Sequence, residues 1–137
     1  MGEDLFSGLN IAASGLTAHR QWMDLIAGNI ANVNTTSTPE GGPFHRQLAV
    51  FMEATDDSGK LRGVKVEQQV EDDSSLRKVY EPQHPDADAE GYVSYPNINV
   101  VAEMVDLIAA SRAYEANATV LEAMKNGFMR ALQTLQA

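Results

Sequence analysis

The sequence predicts an α+β fold: long N- and C-terminal helices pairing as a coiled-coil-like α domain, with a small β-rich segment between them. Three observations lead there. Apolar residues recur at alternating steps of four and three at both ends of the chain, the period falls to two in the middle, and Gly, Pro, Asn and Asp gather where the period changes.

The N-terminal helix is read from Leu5, Leu9, Ala12, Leu16, His19, Met23, Ile26 and Ile30, which form the narrow seam of a coiled coil, interrupted only by His19. It should stop between Ala31 and Val33, because Asn29, Asn32 and Asn34 carry short side chains that compete for backbone groups and favour caps and turns. Residues 1–33 are therefore one unit.

Residues 34–97 form the middle. Leu48, Val50 and Met52 alternate, as do Val64, Val66, Gln68 and Val70, and a third short strand is expected around Leu76 and Val79-Tyr80. Asp56-Asp57-Ser58-Gly59-Lys60 and Asp72-Asp73-Ser74-Ser75 supply the intervening turns. So small a segment buries little surface, and it should lean on a helix or on a neighbouring subunit.

Residues 98–137 carry the second seam: Val100, Met104, Leu107, Ser111, Tyr114, Ala118, Leu121, Lys125, Phe128, Leu132 and Leu135, about five heptads. Pro96, Asn97 and Asn99 mark its start. Ala102 stands where a capping box from Asn99 would need Glu or Gln, so no box is expected. Two such seams can pair as an antiparallel hairpin, and any apolar edge left over must be covered by neighbours. Tyr114 and Phe128 are the expected interface anchors, since buried aromatics carry much of an interface's energy. Trp22, one step from Met23, is either an anchor toward another subunit or helix-flank core.

The net charge of −9, from 19 acids against 10 bases, opposes nucleic acid and anionic lipid, and no basic patch offsets it. No apolar run approaches the ~18 residues that cross a bilayer, so membrane insertion is not expected. A cleavable signal peptide and a myristoylation signal are not expected either, given Met-Gly-Glu-Asp at the start and Phe6 where a hydroxyl residue is required. The absence of cysteine excludes disulfides, thiolate metal sites and a cysteine nucleophile.

Candidate chemistry is thin. His19, His45 and His84 fall at no metal-ligand spacing, and no catalytic constellation or phosphate-cradling glycine loop is present. "DADAEGYVSYPN", Asp86 to Asn97, approaches a calcium loop through Asp86, Asp88 and Glu90. It has Asn97 where a bidentate glutamate belongs, and prolines fill its entering segment, so an acidic surface loop is the expectation. Asn34-Thr35-Thr36 and Asn117-Ala118-Thr119 match a glycosylation pattern by chance, the second inside a helix. No metal, cofactor or enzymatic activity is expected.

The residues themselves carry a resemblance. Asn29-Ile30-Ala31-Asn32-Val33-Asn34-Thr35-Thr36 resembles the helix-ending motif of the flagellar axial proteins, the rod and hook family of the bacterial flagellum. The stretch "HPDADAEGYVSYPNINVVAEMVDLIAASRAYEAN", His84 to Asn117 with Pro96, Asn97 and Asn99 inside it, is similar to the C-terminal half of a proximal-rod member. Ser37 to Phe44 replaces the glycine and aromatic usual after the first motif, again in the manner of that rod member, while Glu53 to Val79 is not diagnostic.

The resemblance implies a structural, non-catalytic subunit of the proximal rod in the basal body, polymerising through its terminal helices into a shaft that transmits torque across the periplasm. Its implied partners are other rod proteins and copies of itself. It also implies passage through the flagellar type III export apparatus, directed by an uncleaved N-terminal segment. Helices with uncovered seams are marginal alone, so the monomer's termini should be frayed and should order on incorporation. The competing expectation is a soluble coiled-coil adaptor or export chaperone that binds a single partner and forms a well-ordered helical dimer.

Overall fold

The computed structural model describes residues 2–136, with side chains from residue 6 onward, so the Leu5 side chain of the predicted seam lies outside the described residues. Six elements follow in order: α1 (Gly2–Ala31), β1 (Gln47–Thr55), β2 (Leu61–Glu71), β3 (Arg77–Tyr80), β4 (Tyr92–Tyr95) and α2 (Val100–Gln136). At ~1.5 Å per residue the helices are about 45 and 56 Å long.

The helices pair antiparallel. Phe6 meets Phe128 with ring centroids 6.0 Å apart. A Cβ on Gly8 would stand 2.7 Å from Met124 Cε, one on Gly15 would stand 2.9 Å from the Asn117 amide, and the Asn29 amide reaches Glu103 at 3.1 Å. Each seven-residue step up α1 is thus matched by seven steps down α2.

This pairing corrects the predicted packing line. The buried stripe of α1 runs through Ala12, Gly15, Ala18, Ile26 and Asn29, while Leu9, Leu16, Met23 and Ile30 flank it half-exposed. On α2 the fully buried residues are Glu103 and Ala110; Val100, Leu107, Tyr114, Leu121 and Phe128 are half-buried, and Met104 and Leu132 are exposed. The cause is close approach. Glycine and alanine on the line of contact bring the backbones together, which moves the long apolar side chains beside that line.

α1 ends within the predicted range. Asn32 donates from its backbone N–H to the Gly28 carbonyl at 3.1 Å and from its side chain to the same carbonyl at 2.9 Å, so one residue satisfies the last turn twice. α2 begins at an N-cap: Asn99 Oδ1 accepts the Val101 and Ala102 amides at 3.0 and 3.2 Å.

β1 and β2 form one antiparallel hairpin, from Gln47 opposite Glu71 to Thr55 opposite Leu61. The Asp56 carboxylate closes its turn by accepting from the Ser58 and Lys60 amides, the Ser58 hydroxyl and the Arg62 guanidinium. The hairpin docks on the middle of α1 through Phe51 and Gly63. Phe51 packs edge-on against Trp22 at 5.6 Å and beside His19 at 5.7 Å, and buried Gly63 sits against Ser14. Trp22 thereby joins the hairpin to its own helix.

β3 and β4 make a second antiparallel hairpin, Arg77 opposite Tyr95 and Tyr80 opposite Tyr92. β4 departs from the expectation of an acidic loop over 86–97. Tyr92-Val93-Ser94-Tyr95 is a short strand in which Val93 is fully buried, but the acidic run and prolines around these four residues mask the signal. Asp88 Oδ1 accepts the Glu90 and Tyr92 amides at 3.0 and 2.8 Å, so this carboxylate holds a turn.

Candidate functional site

The first three turns of α2 have their polarity reversed. Inward stands Glu103, 1% exposed, followed by Ala110; outward stand Val101, Met104, Val105 and Ile108, between 54% and 71% exposed. A helix whose hydrocarbon faces water and whose carboxylate faces the interior opposes the usual pattern of burial.

The inward side is a polar junction of four elements. Asn29, also 1% exposed, points its amide at the backbone where β1 starts: Asn29 Oδ1 accepts the Gln47 N–H at 2.8 Å and Asn29 Nδ2 donates to the Gln47 carbonyl at 2.9 Å. The side chain therefore pairs with Gln47 much as a neighbouring strand would. The same Nδ2 donates to Glu103 Oε2, and Arg46 Nε donates to Glu103 Oε1 at 2.5 Å.

The Arg46 guanidinium also approaches Asp72 at 3.6 Å and Asp106 at 3.8 Å, while the Arg46 carbonyl accepts the Asp72 amide at 2.8 Å. Burial opposes its charge, but the hydrogen bond and charge of Glu103, helped by Asp72, outweigh that and raise its pKa. Asp72 is held below the usual carboxylate range, first by the Ser74 amide and then by the Ser74 hydroxyl. Every buried side-chain nitrogen and oxygen among the described residues has a hydrogen-bond partner, so the junction is a completed hydrogen-bond network.

Two hollows border α2. His19, Trp22, Arg46, Leu48, Phe51 and Asp106 line one of about 440 Å³, and Leu107, Ile108, Ser111, Arg112 and Glu115 line another of about 420 Å³ beside the apolar stripe. Among the described residues no group of three or more metal-ligating side chains converges.

The structure brings Asn29 to Glu103 in the first turn of α2, the helix whose start Asn99 caps. Thr35 donates to Asn32 Oδ1 at 3.0 Å within the loop after α1. Ala31 and Asn34 are exposed, Pro96 is buried, and Asn97 donates to the Ser74 hydroxyl at 3.5 Å. Sequence reasoning missed Arg46 and Glu103. A signal existed: Glu103, Leu107, Ala110, Tyr114, Asn117, Leu121, Met124 and Phe128 also advance by four and three, and Gly8, Ala12, Gly15, His19, Trp22, Ile26 and Asn29 do the same on α1. The more apolar register is not the one that packs.

Two family models match the chain: "Flagella basal body rod protein" over residues 9–37 and "Flagellar basal body rod FlgEFG protein C-terminal" over residues 89–134. These are the regions of the α1 stripe with its terminating loop, and of β4 with α2. The chain is 46% identical to the flagellar basal-body rod protein FlgC of Borreliella burgdorferi, covering 96% of this chain and 98% of that one. It is 40% identical to FlgC of Bacillus subtilis and 38% identical to FlgC of Salmonella typhimurium, each covering 93% of this chain and 96% of the relative. With its terminal helices and its whole length so matched, the chain belongs to the FlgC family of flagellar basal-body rod proteins.

Proposed function

We infer that this chain is a structural, non-catalytic subunit of the flagellar basal-body rod, which polymerises through its terminal helices with copies of itself and with other rod proteins. The observation that carries this reading is the outward stripe Val101, Met104, Val105 and Ile108 on a helix whose inner face is already filled. Apolar side chains contiguous on one helix face favour coverage by a neighbour. Further along, Val120, Met129, Leu132 and Leu135 extend the apolar exposure of α2.

Placement in the periplasmic part of the basal body, torque transmission and export through the flagellar type III apparatus complete the reading. Long helices with marginal intrinsic stability suit passage as an extended chain, and folding is then drawn forward by the surfaces they meet.

The test is complementation of a strain lacking the subunit with Val105→Asp/Ile108→Asp. We expect the variant to keep the circular dichroism of the parent, because both positions are exposed, and to fail to restore rods or motility. Full motility with this variant would overturn the reading, and a parent chain that sediments as a stable closed dimer would favour a soluble adaptor instead.

A further inference from the structure

We propose that Arg46 makes docking of the β1–β2 hairpin and closure of the helix pair a single event. Glu103 comes from α2, Asn29 from α1, Arg46 from the residue before β1, Gln47 from the start of β1, and Asp72 from the residue after β2. No two of these parts complete the network alone.

If the helices closed without the hairpin, Glu103 would sit in the seam with the Asn29 amide as its only side-chain donor among the described residues. Among the described residues no other lysine or arginine lies at ion-pair distance from Glu103, Asp72 or Asp106. An uncompensated carboxylate at 1% exposure is strongly unfavourable. If instead the hairpin docked without helix closure, Arg46 would lose Glu103 and Asp106, and the edge groups of Gln47 would lose Asn29 unless α1 were already in place.

The surroundings add little independent support. The seam buries hydrocarbon at Ala12, Ala18, Ile26 and Ala110, but none of these side chains can compensate the Glu103 carboxylate once it is closed off from water. Closure near Glu103 therefore depends on the guanidinium, which the hairpin delivers. The helix surface that carries the apolar stripe therefore takes its final form together with the docked hairpin. The coupling is internal to the single chain and holds whether or not the stripe is an assembly surface.

Native-state hydrogen exchange on the full chain tests it, comparing amides 17–31, 48–70 and 101–114 at increasing sub-denaturing urea. In the parent chain the three sets should converge on one opening with one urea dependence. In Arg46→Met, exchange at 101–114 should rise on the order of a hundredfold, although the substitution lies in another element. In Arg46→Met/Glu103→Leu those helix amides should return to within about tenfold of the parent while the strand amides stay fast.

The proposal is overturned if the parent's strand amides exchange through an opening that leaves 101–114 protected. It is overturned equally if Arg46→Met accelerates the strands alone. Should Arg46→Met not fold, the parent comparison decides by itself.

Discussion

The Ser14 hydroxyl occupies the space that any side chain on Gly63 would need. It donates to the Ile11 carbonyl at 2.7 Å and accepts the Val64 amide at 3.0 Å, so α1 lends the strand a partner at the point where the two backbones come closest. Gly63 has a φ of +134°, which side chains rarely adopt. Gly63→Ala therefore combines backbone strain with overlap, and we expect a loss of about 1–3 kcal/mol in urea denaturation. Adding Ser14→Gly should recover part of the loss by removing the overlap but not the strain.

Asn29→Ala should cost about 2–4 kcal/mol, because it leaves the Gln47 N–H and carbonyl unpaired in a closed site. Asn29→Asp keeps the volume but places a second carboxylate beside Glu103, and we expect it to be the worse variant at neutral pH. Thermal unfolding of both proteins at pH 7 distinguishes them, and equal stability would contradict the pairing described here.

The glycines of the helices divide into two kinds. A Cβ on Gly15 would strike the Asn117 side chain at 2.9 Å, whereas one on Gly127 meets nothing within 4 Å. Gly127→Ala should stabilise α2 by up to ~1 kcal/mol through helix propensity, while Gly15→Ala should give a net loss as the helices are pushed apart. Opposite signs in a melting experiment are the expected outcome.

Asp56 governs the acid limb of hairpin stability. Its carboxyl lies at about 2 against an ordinary 3.8, held there by the Ser58 hydroxyl first, with the Lys60 amide and Arg62 adding to it. A carboxyl whose folded pKa is lowered binds its proton more tightly when unfolded. Its stabilisation is therefore present above pH 3.8 and is lost as the pH falls toward 2. Asp72 and Asp88 are lowered too, mainly by the Ser74 and Tyr92 amides, so their stabilisation is likewise lost as the pH falls below 3.8. Asp56→Asn should flatten the pH dependence of strand-amide exchange across that interval.

Leu107→Asp and Leu121→Asp should abolish rod incorporation by a different route from the outward stripe. Both residues are half-buried beside the line of helix contact, so a carboxylate at either position should lower helix content and, through the coupled opening, raise exchange in the β1–β2 hairpin as well. Far-ultraviolet circular dichroism paired with exchange at 56–62 reads the two effects separately, and normal motility in either variant would count against helix-mediated assembly.

The sequence by itself determined the two helices, their ends and the strands that alternate cleanly. These depend on neighbours close in the chain: period four-three or two, Asn32 at one helix end, Asn99 at the start of the other, and Asp56 in the turn. β4 escaped because four residues between an acidic run and a proline are too few for a period to stand out.

Only the tertiary structure decided which of two interleaved four-three registers lies inside. Both registers share Leu107, Tyr114, Leu121 and Phe128, and apolar content favours the one through Met104. The molecule uses the one through Glu103, because glycines on α1 admit close approach and an arginine 57 residues away compensates the buried charge. Hydrocarbon counted along one helix cannot register a guanidinium that arrives from another element, so the reversed polarity of α2 is a property of the fold and not of the helix.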